Sequence, residues 1–460
     1  LGSLDKSNGE IMSNENKYKE LKRELGWFGA GIMGLASVIG VGIFVSIGIA
    51  AGISGFAVIG ALVVAGLLGA CNSLNLAQLA VSHPVSGGVY EYGYKYLTPW
   101  LGFSGGWVYF FSKIAVAATA ALGFAGYLLN TTGLTGSSLL VPVAEVAVFC
   151  VTLITLGGIR RSKVSTIVVV SVTIVSLLLL IVVGSFVGFS NGFENLSLRG
   201  TNSSNWTSNF LQSVALMFVS YNGAARISMV GEEIVDPQKN IPRAVVFTVV
   251  TTMLLYIGVA VVSLGSIGAE AFSEATRVQA APLQVVADSF GIPGFGSILA
   301  AGAITSMLSI LLTTILGVSR LLLAMGRRGD MPSFLTQLNS SQTTPYWAVI
   351  VVGIAIALLI LIGDVKSTWS LGAFGAMYRS AIVSLAALRL SDEERLYPRW
   401  LTWLSLLSSL FLAFWVEWQF WLIGLGLIGV GLVWHFTVHQ INPTDNEAGN
   451  TGHDKTNKAI

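Results

Sequence analysis

Apolar residues run through this chain in long blocks, separated by short polar segments that gather most of the lysine and arginine. Twelve blocks come near the roughly 20 residues that a bilayer crossing needs, and each predicts one helix. They cover 27–51, 55–80, 102–128, 139–158, 164–190, 210–232, 242–266, 295–326, 345–362, 367–389, 400–416 and 418–438. Only Val416-Glu417-Trp418 divides the last two, which predicts a tight hairpin.

Two of these blocks are interrupted at mid-span. The first holds Gly40-Val41-Gly42-Ile43, and the sixth holds Tyr221-Asn222-Gly223 before it resumes for two turns and ends in Glu232-Glu233. A Gly or Asn pair at that depth leaves backbone donors and acceptors without helical partners. Lipid tolerates this only where the backbone is buried in protein or lines a cavity. Corresponding breaks in two halves of a chain are the sequence signature of an inverted-repeat transporter.

Composition agrees with the pattern. Only 10% of the 460 residues are charged and 53% are hydrophobic, against about 25% charged in a soluble protein. The 52 glycines suit helices that pack closely in lipid. A net charge of +2 carries no nucleic-acid footprint. Cys71 and Cys150 fall inside apolar blocks and read as packing residues.

With the N-terminus inside, the inner segments hold Lys17, Lys19, Lys22, Arg23, Lys95, Arg160, Arg161, Lys163, Lys239, Arg243, Arg327, Arg328, Arg389, Arg395 and Arg399. The outer loops hold Arg199, Arg277 and Lys366. This bias predicts a multi-pass protein of the cytoplasmic membrane with both termini cytoplasmic. Residues 1–24 are polar and read as a tail, not a signal peptide.

The chain resembles the amino acid–polyamine–organocation (APC) superfamily of permeases. The likeness rests on Gly40-Val41-Gly42-Ile43-Phe44 and on Pro84 to Tyr90. It continues through Gly105-Gly106-Trp107, Glu232-Glu233, Asp236-Pro237, Asn240 to Ala244, Ser319-Arg320 and Met325 to Pro332. The resemblance implies an all-α membrane protein of 12 transmembrane helices, a five-plus-five inverted repeat with discontinuous helices 1 and 6. It also implies alternating access around a central site. The expected organisation is a tail 1–24, a first repeat 25–190, a second repeat 209–390, a peripheral hairpin 400–438 and a tail 439–460. Members of the superfamily carry amino acids, amines or organic cations by proton or sodium symport or by exchange.

The residues support that reading on physical grounds. Free N–H groups at Gly40, Val41 and Gly42, with Ile43 beside them in the substrate site, would stand at a half-helix N-terminus, which favours a carboxylate. Freed carbonyls of Phe218, Ser220 and Tyr221, with Asn222 and Gly223 beside them, would accept an ammonium. The competing reading makes Gly40 and Gly42 helix-packing residues only. Glu232 and Glu233 oppose the dipole of their own helix and predict a cytoplasmic gate or clamp against Lys239, Arg243 or Arg320, or else a solvated helix end.

Three basic residues stand deep in the spans: Lys113, Arg226 and Arg379. A charge at that depth is expensive and marks a functional candidate. Lys113 has three readings: replacing a coupling cation, pairing with Glu145, or sensing the substrate side chain. Buried structural pairs and snorkelling are the alternatives for all three. If they face a cavity, neutral or acidic amino acids are favoured over cationic ones. Thr313 and Thr314 are candidates for a sodium site, so H+ or Na+ coupling stays open and no other cofactor is expected. The four histidines are placed at loop or terminal positions, with no metal-ligand spacing among them. Tyr90, Tyr92, Tyr94 and Tyr96 read as anchors on an inner loop.

The expected function is amino acid permease at the cell membrane, not an enzyme, with the bilayer as the surrounding partner. Two rivals are an amine or organic-acid exchanger of the same fold and a non-transporting amino acid sensor.

Overall fold

The structure is a computed structural model that describes residues 25–83, 88–134, 137–158, 163–190, 205–229, 234–339 and 344–441. Among these residues it is helical throughout, apart from one parallel bridge between Leu25 and Ile234. The helices follow the apolar blocks closely. They are α1 (Trp27–Val38), α2 (Ile47–Ser54), α3 (Val58–Ser82), α4 (Val89–Tyr96), α5 (Pro99–Thr131), α6 (Ser137–Leu156), α7 (Lys163–Ser190) and α8 (Trp206–Tyr221). They continue with α9 (Arg226–Met229), α10 (Pro237–Gln279), α11 (Pro282–Asp288), α12 (Phe295–Arg327), α13 (Tyr346–Ile360), α14 (Val365–Leu388), α15 (Arg399–Ala413) and α16 (Trp418–Ile441).

By length and composition, eight helical stretches among the described residues could cross a membrane, and Trp27–Val38, Tyr346–Ile360 and Arg399–Ala413 are shorter apolar helices. The stretch Gly42–Ser82 counts as one apolar run, but it joins the second half of the first predicted span to the second. A positive φ of 57° at Gly55 and a 3-10 turn over Gly55–Ala57 separate α2 from α3. Only a residue without Cβ takes that conformation cheaply.

Two features depart from the expected pattern. The seventh block does not end at 266: α10 runs on to Gln279, bent at Gly268 with φ 77° and ψ 167°. The alternating tyrosines after the second block form the short helix α4, in which Tyr90 and Tyr94 share one face. Alternate aromatics suggested an inner loop or re-entrant segment, but Tyr90 and Tyr94 are also four apart, the helical repeat.

Helix α5 lies at the centre of the bundle and packs on α12, α14, α13, α6, α4 and α16. Helix α8 packs on α3, α2 and α14. Small residues allow these approaches: a Cβ at Gly375 would stand 2.6 Å from Ser112 Cβ, and one at Gly106 would stand 2.8 Å from the Tyr90 ring. The core is therefore built on close helix–helix packing, as expected where lipid supplies no hydrophobic drive between helices.

Candidate substrate site

Both predicted breaks exist. Helix α1 ends at Val38, Ile39 turns extended (φ −76°, ψ 109°), and the chain re-enters as a π-turn over Gly42–Ser46 that leads into α2. Helix α8 ends at Tyr221, tightens into a 3-10 turn over Asn222–Ala225 and resumes as α9. Gly40, Val41 and Gly42 thus open the second half of the first span, where the first N–H groups of a helix have no partner within it.

The two breaks touch. A Cβ on Gly223 would stand 2.6 Å from the Val38 nitrogen and closer still to the Ser37 carbonyl. Glycine is required here because the facing atoms are backbone. Ser46 Oγ lies 3.1 Å from Ser220 Oγ, a direct hydrogen bond between the first and sixth spans. The packing reading of the span-one glycines is also real. A Cβ on Gly40 would collide with Ile310, and one on Gly42 would meet Tyr256 Oη at 2.5 Å and Ser220 at 2.9 Å. Packing occupies the Cα faces of these glycines; their N–H groups are a separate face.

Neighbouring side chains satisfy several of the carbonyls freed by the first break. Tyr256 Oη donates to Val38 O at 3.0 Å, Ser306 Oγ to Ile39 O at 3.0 Å, and Tyr127 Oη to Phe44 O at 2.8 Å. Tyr127 Oη in turn accepts from the Leu283 N–H at 3.2 Å. Sequence reading missed all three residues. A lone Tyr or Ser within an apolar block carries no mark until the carbonyl that it meets is known.

Ser306 also bears on the sodium candidates. Thr313 Oγ1 donates to Ser309 O at 2.8 Å, within its own helix, a common habit of hydroxyls in membrane helices. Thr314 is buried. The α12 hydroxyl that reaches the first break belongs to Ser306 instead.

The predicted amine-binding residues divide. Phe218, Ser220 and Tyr221 are buried at the end of α8. The Asn222 amide oxygen is already engaged, accepting from Asn72 Nδ2 and from an Arg379 guanidinium nitrogen, each at 2.9 Å. Asn222 therefore ties the sixth span to the second and tenth through its side chain.

Two of the three deep basic residues stand over Tyr109 of α5. Lys113 Nζ lies 5.6 Å from the centre of that ring and the Arg379 guanidinium 6.0 Å. Arg226 is close enough for its charge to act on both Tyr109 and Lys113. Among the described residues none of the three forms an ion pair. The suggested partner Glu145 is not joined to Lys113, and its Oε1 is buried without a hydrogen bond. Three cations in this neighbourhood give this part of the bundle a positive field.

A family model described as amino acid permease matches residues 29–445. The chain belongs to the amino acid permease family. It is 32% identical over 375 residues to an uncharacterized transporter of Mycobacterium tuberculosis, covering 82% of each chain. It is 27% identical over 416 residues to the branched-chain amino acid permease of Bacillus subtilis, covering 86% of each. The same identity over 405 residues relates it to the methylthioribose transporter of Bacillus subtilis, covering 83% of this chain and 84% of that one. These relatives are transporters or permeases by name, and the apolar helices make this chain a multi-pass membrane protein.

Two sequence expectations lie elsewhere. Glu232 and Glu233 fall outside the described residues, although Val235 N–H donates to Leu25 O at 2.9 Å just beyond them. Two of the four histidines are not at loop or terminal positions. Helix α16 continues to Ile441, three residues past its expected end, and carries His435 and His439 one turn apart beside Asp330. Contrary to the expectation of no metal-ligand spacing, His435 and His439 stand at i and i+4 in the sequence itself; only Asp330, more than a hundred residues upstream, needed the fold to join them.

Proposed function

We propose that this permease moves an α-amino acid with a neutral or acidic side chain across the cytoplasmic membrane by alternating access, as a secondary active transporter. The observation that carries the reading is the contact between the two mid-span breaks, with N–H groups of Gly40 to Gly42 on one side and the end of α8 on the other. The N–H groups take the carboxylate, as a half-helix N-terminus does. Backbone carbonyls of Phe218, Ser220 and Tyr221 take the ammonium. Neither contact needs a charged side chain, so the side chain of the substrate decides specificity.

Lys113, Arg226 and Arg379 supply that decision. Their charges lack carboxylate partners among the described residues. A cationic substrate would add a fourth positive charge; an acidic one would compensate. Two halves, 25–190 and 209–390, rock about the joined breaks in a twelve-span bundle with both termini cytoplasmic. The Leu25–Ile234 bridge lies beside Glu232 and Glu233 at the cytoplasmic end, where a gate would close.

Uptake into proteoliposomes of the purified protein, with a panel of labelled amino acids and a proton gradient, a sodium gradient or neither, tests the reading. Gradient-driven uptake of leucine- or glutamate-like substrates is expected. Preferred uptake of lysine or arginine would overturn the charge reasoning. Uptake only into preloaded vesicles would mean exchange, the runner-up that the positive field also suits when the cargo is an organic acid.

A further inference from the structure

Away from the joined breaks, Asp330, His435 and His439 meet at the end of the bundle where α12 stops. Asp330 lies in the turn after α12 and is completely buried. Its Oδ2 is fully engaged, accepting the hydroxyls of Tyr90 and Tyr94 at 2.5 and 2.6 Å. Trp434 Nε1 donates to its backbone carbonyl at 2.9 Å and fixes the turn against α16.

Oδ1 makes no hydrogen bond. It faces His435 Nδ1 at 3.2 Å and His439 Nε2 at 3.8 Å. His435 Nδ1 is also buried without a hydrogen-bond partner, so the short approach lacks hydrogen-bond alignment. Stacking on Phe103, with ring centres 4.8 Å apart, pins the His435 ring. His439 Nδ1 lies 2.9 Å from the His435 carbonyl oxygen. A carbonyl can only accept, so Nδ1 carries the proton and Nε2 turns its lone pair toward Asp330.

We propose that Asp330 Oδ1, His435 Nδ1 and His439 Nε2 form a binding site for a divalent transition-metal ion of the zinc class, which clamps α16 to the end of α12. Zinc holds imidazole nitrogen and carboxylate oxygen at about 2.0–2.2 Å in a tetrahedron, which sets the donors about 3.3 Å apart. The observed separations of 3.2 and 3.8 Å bracket that value, and all three donors lie within 4.8 Å of one another. Two histidines at i and i+4 on one helix face are a recurrent metal pair. The bond from His439 Nδ1 to a carbonyl is the outer contact that orients a metal-binding imidazole.

The His439 side chain is 28% exposed, which leaves an entry path and a fourth position for water. A buried water could instead satisfy the same orphaned atoms, and the experiment separates the two.

The full chain, freed of affinity tags and stripped of metal, is titrated in detergent with Co2+ by visible absorption and with Zn2+ against a chromophoric chelator. One ion per chain and a tetrahedral Co2+ band are expected. His439→Gln and His435→Gln should each weaken binding beyond the roughly tenfold to hundredfold cost of losing an outer partner, while His83→Gln leaves it unchanged. If His435→Gln fails to fold, the partly exposed His439→Gln carries the test alone. No saturable band, or the same affinity and stoichiometry in folded His439→Gln, would overturn the site in favour of water.

Discussion

Gly223→Ala is the sharpest probe of the joined breaks. The new methyl would stand 2.6 Å from the Val38 nitrogen and closer to the Ser37 carbonyl, against an ordinary contact of 3.4 Å or more. Both facing groups are backbone, so no rotamer change relieves the overlap. The 3-10 turn and the end of α1 must separate by about 1 Å, outside the shallow optimum of carbon contacts. Overpacking of this kind costs roughly 1–3 kcal/mol, and the lack of a soft neighbour puts this case near the upper end. The same shift pulls Ser46 away from Ser220, now 3.1 Å apart. Gly317→Ala is the control: it lies within α12 and a Cβ there meets nothing within 4 Å. Ala should stabilise that position by about 0.5–1 kcal/mol. Thermal unfolding in detergent and initial uptake rates in proteoliposomes measure both variants. Gly223→Ala should lose stability and most uptake while Gly317→Ala keeps both. If Gly223→Ala matches wild type in melting and rate, the breaks do not need their present contact and the site is misplaced.

Removing the hydroxyl in Tyr256→Phe strands the buried Val38 carbonyl, and a cost of about 1–3 kcal/mol should appear as a lower melting temperature. Ser306→Ala should impair any sodium-coupled uptake, since its hydroxyl reaches the first break, whereas Thr313→Ala should stay near wild type because its hydroxyl bonds to its own helix; equal sodium dependence in the two would argue against this assignment. Asn222→Asp places a carboxylate beside Arg379 and should shift competition assays toward lysine and arginine as substrates. Lys113→Ala should raise the KM for acidic amino acids more than for neutral ones, and an unchanged ratio would remove Lys113 from side-chain selection.

Much of the architecture is legible in the order of residues. Apart from the seventh, whose helix runs on to Gln279, the apolar blocks gave helices with ends that agree to within a few residues, because in lipid a run of that length has little choice but to satisfy its backbone internally. The breaks at Gly40-Val41-Gly42 and Tyr221-Asn222-Gly223 were legible for the same reason, since glycine and asparagine at mid-span announce backbone that is not helical. Depth along the span singled out Lys113, Arg226 and Arg379, because charge in the membrane is rare.

Other features depend on pairs of residues far apart in the chain. Nothing in the sequence indicates that Gly223 rests on the backbone of Ser37 and Val38, or that Lys113 and Arg379 share the ring of Tyr109. Tyr256, Ser306 and Tyr127 were silent because a hydroxyl gains its meaning from the carbonyl it meets. Asp330 was silent for a similar reason, its histidines lying on the last helix. The sequence by itself determined which segments are helices and where two of them must break, since both follow from local backbone chemistry. Tertiary structure alone decided which freed groups are already satisfied and which are left to bind something, because that depends on distances between helices that hydropathy does not encode.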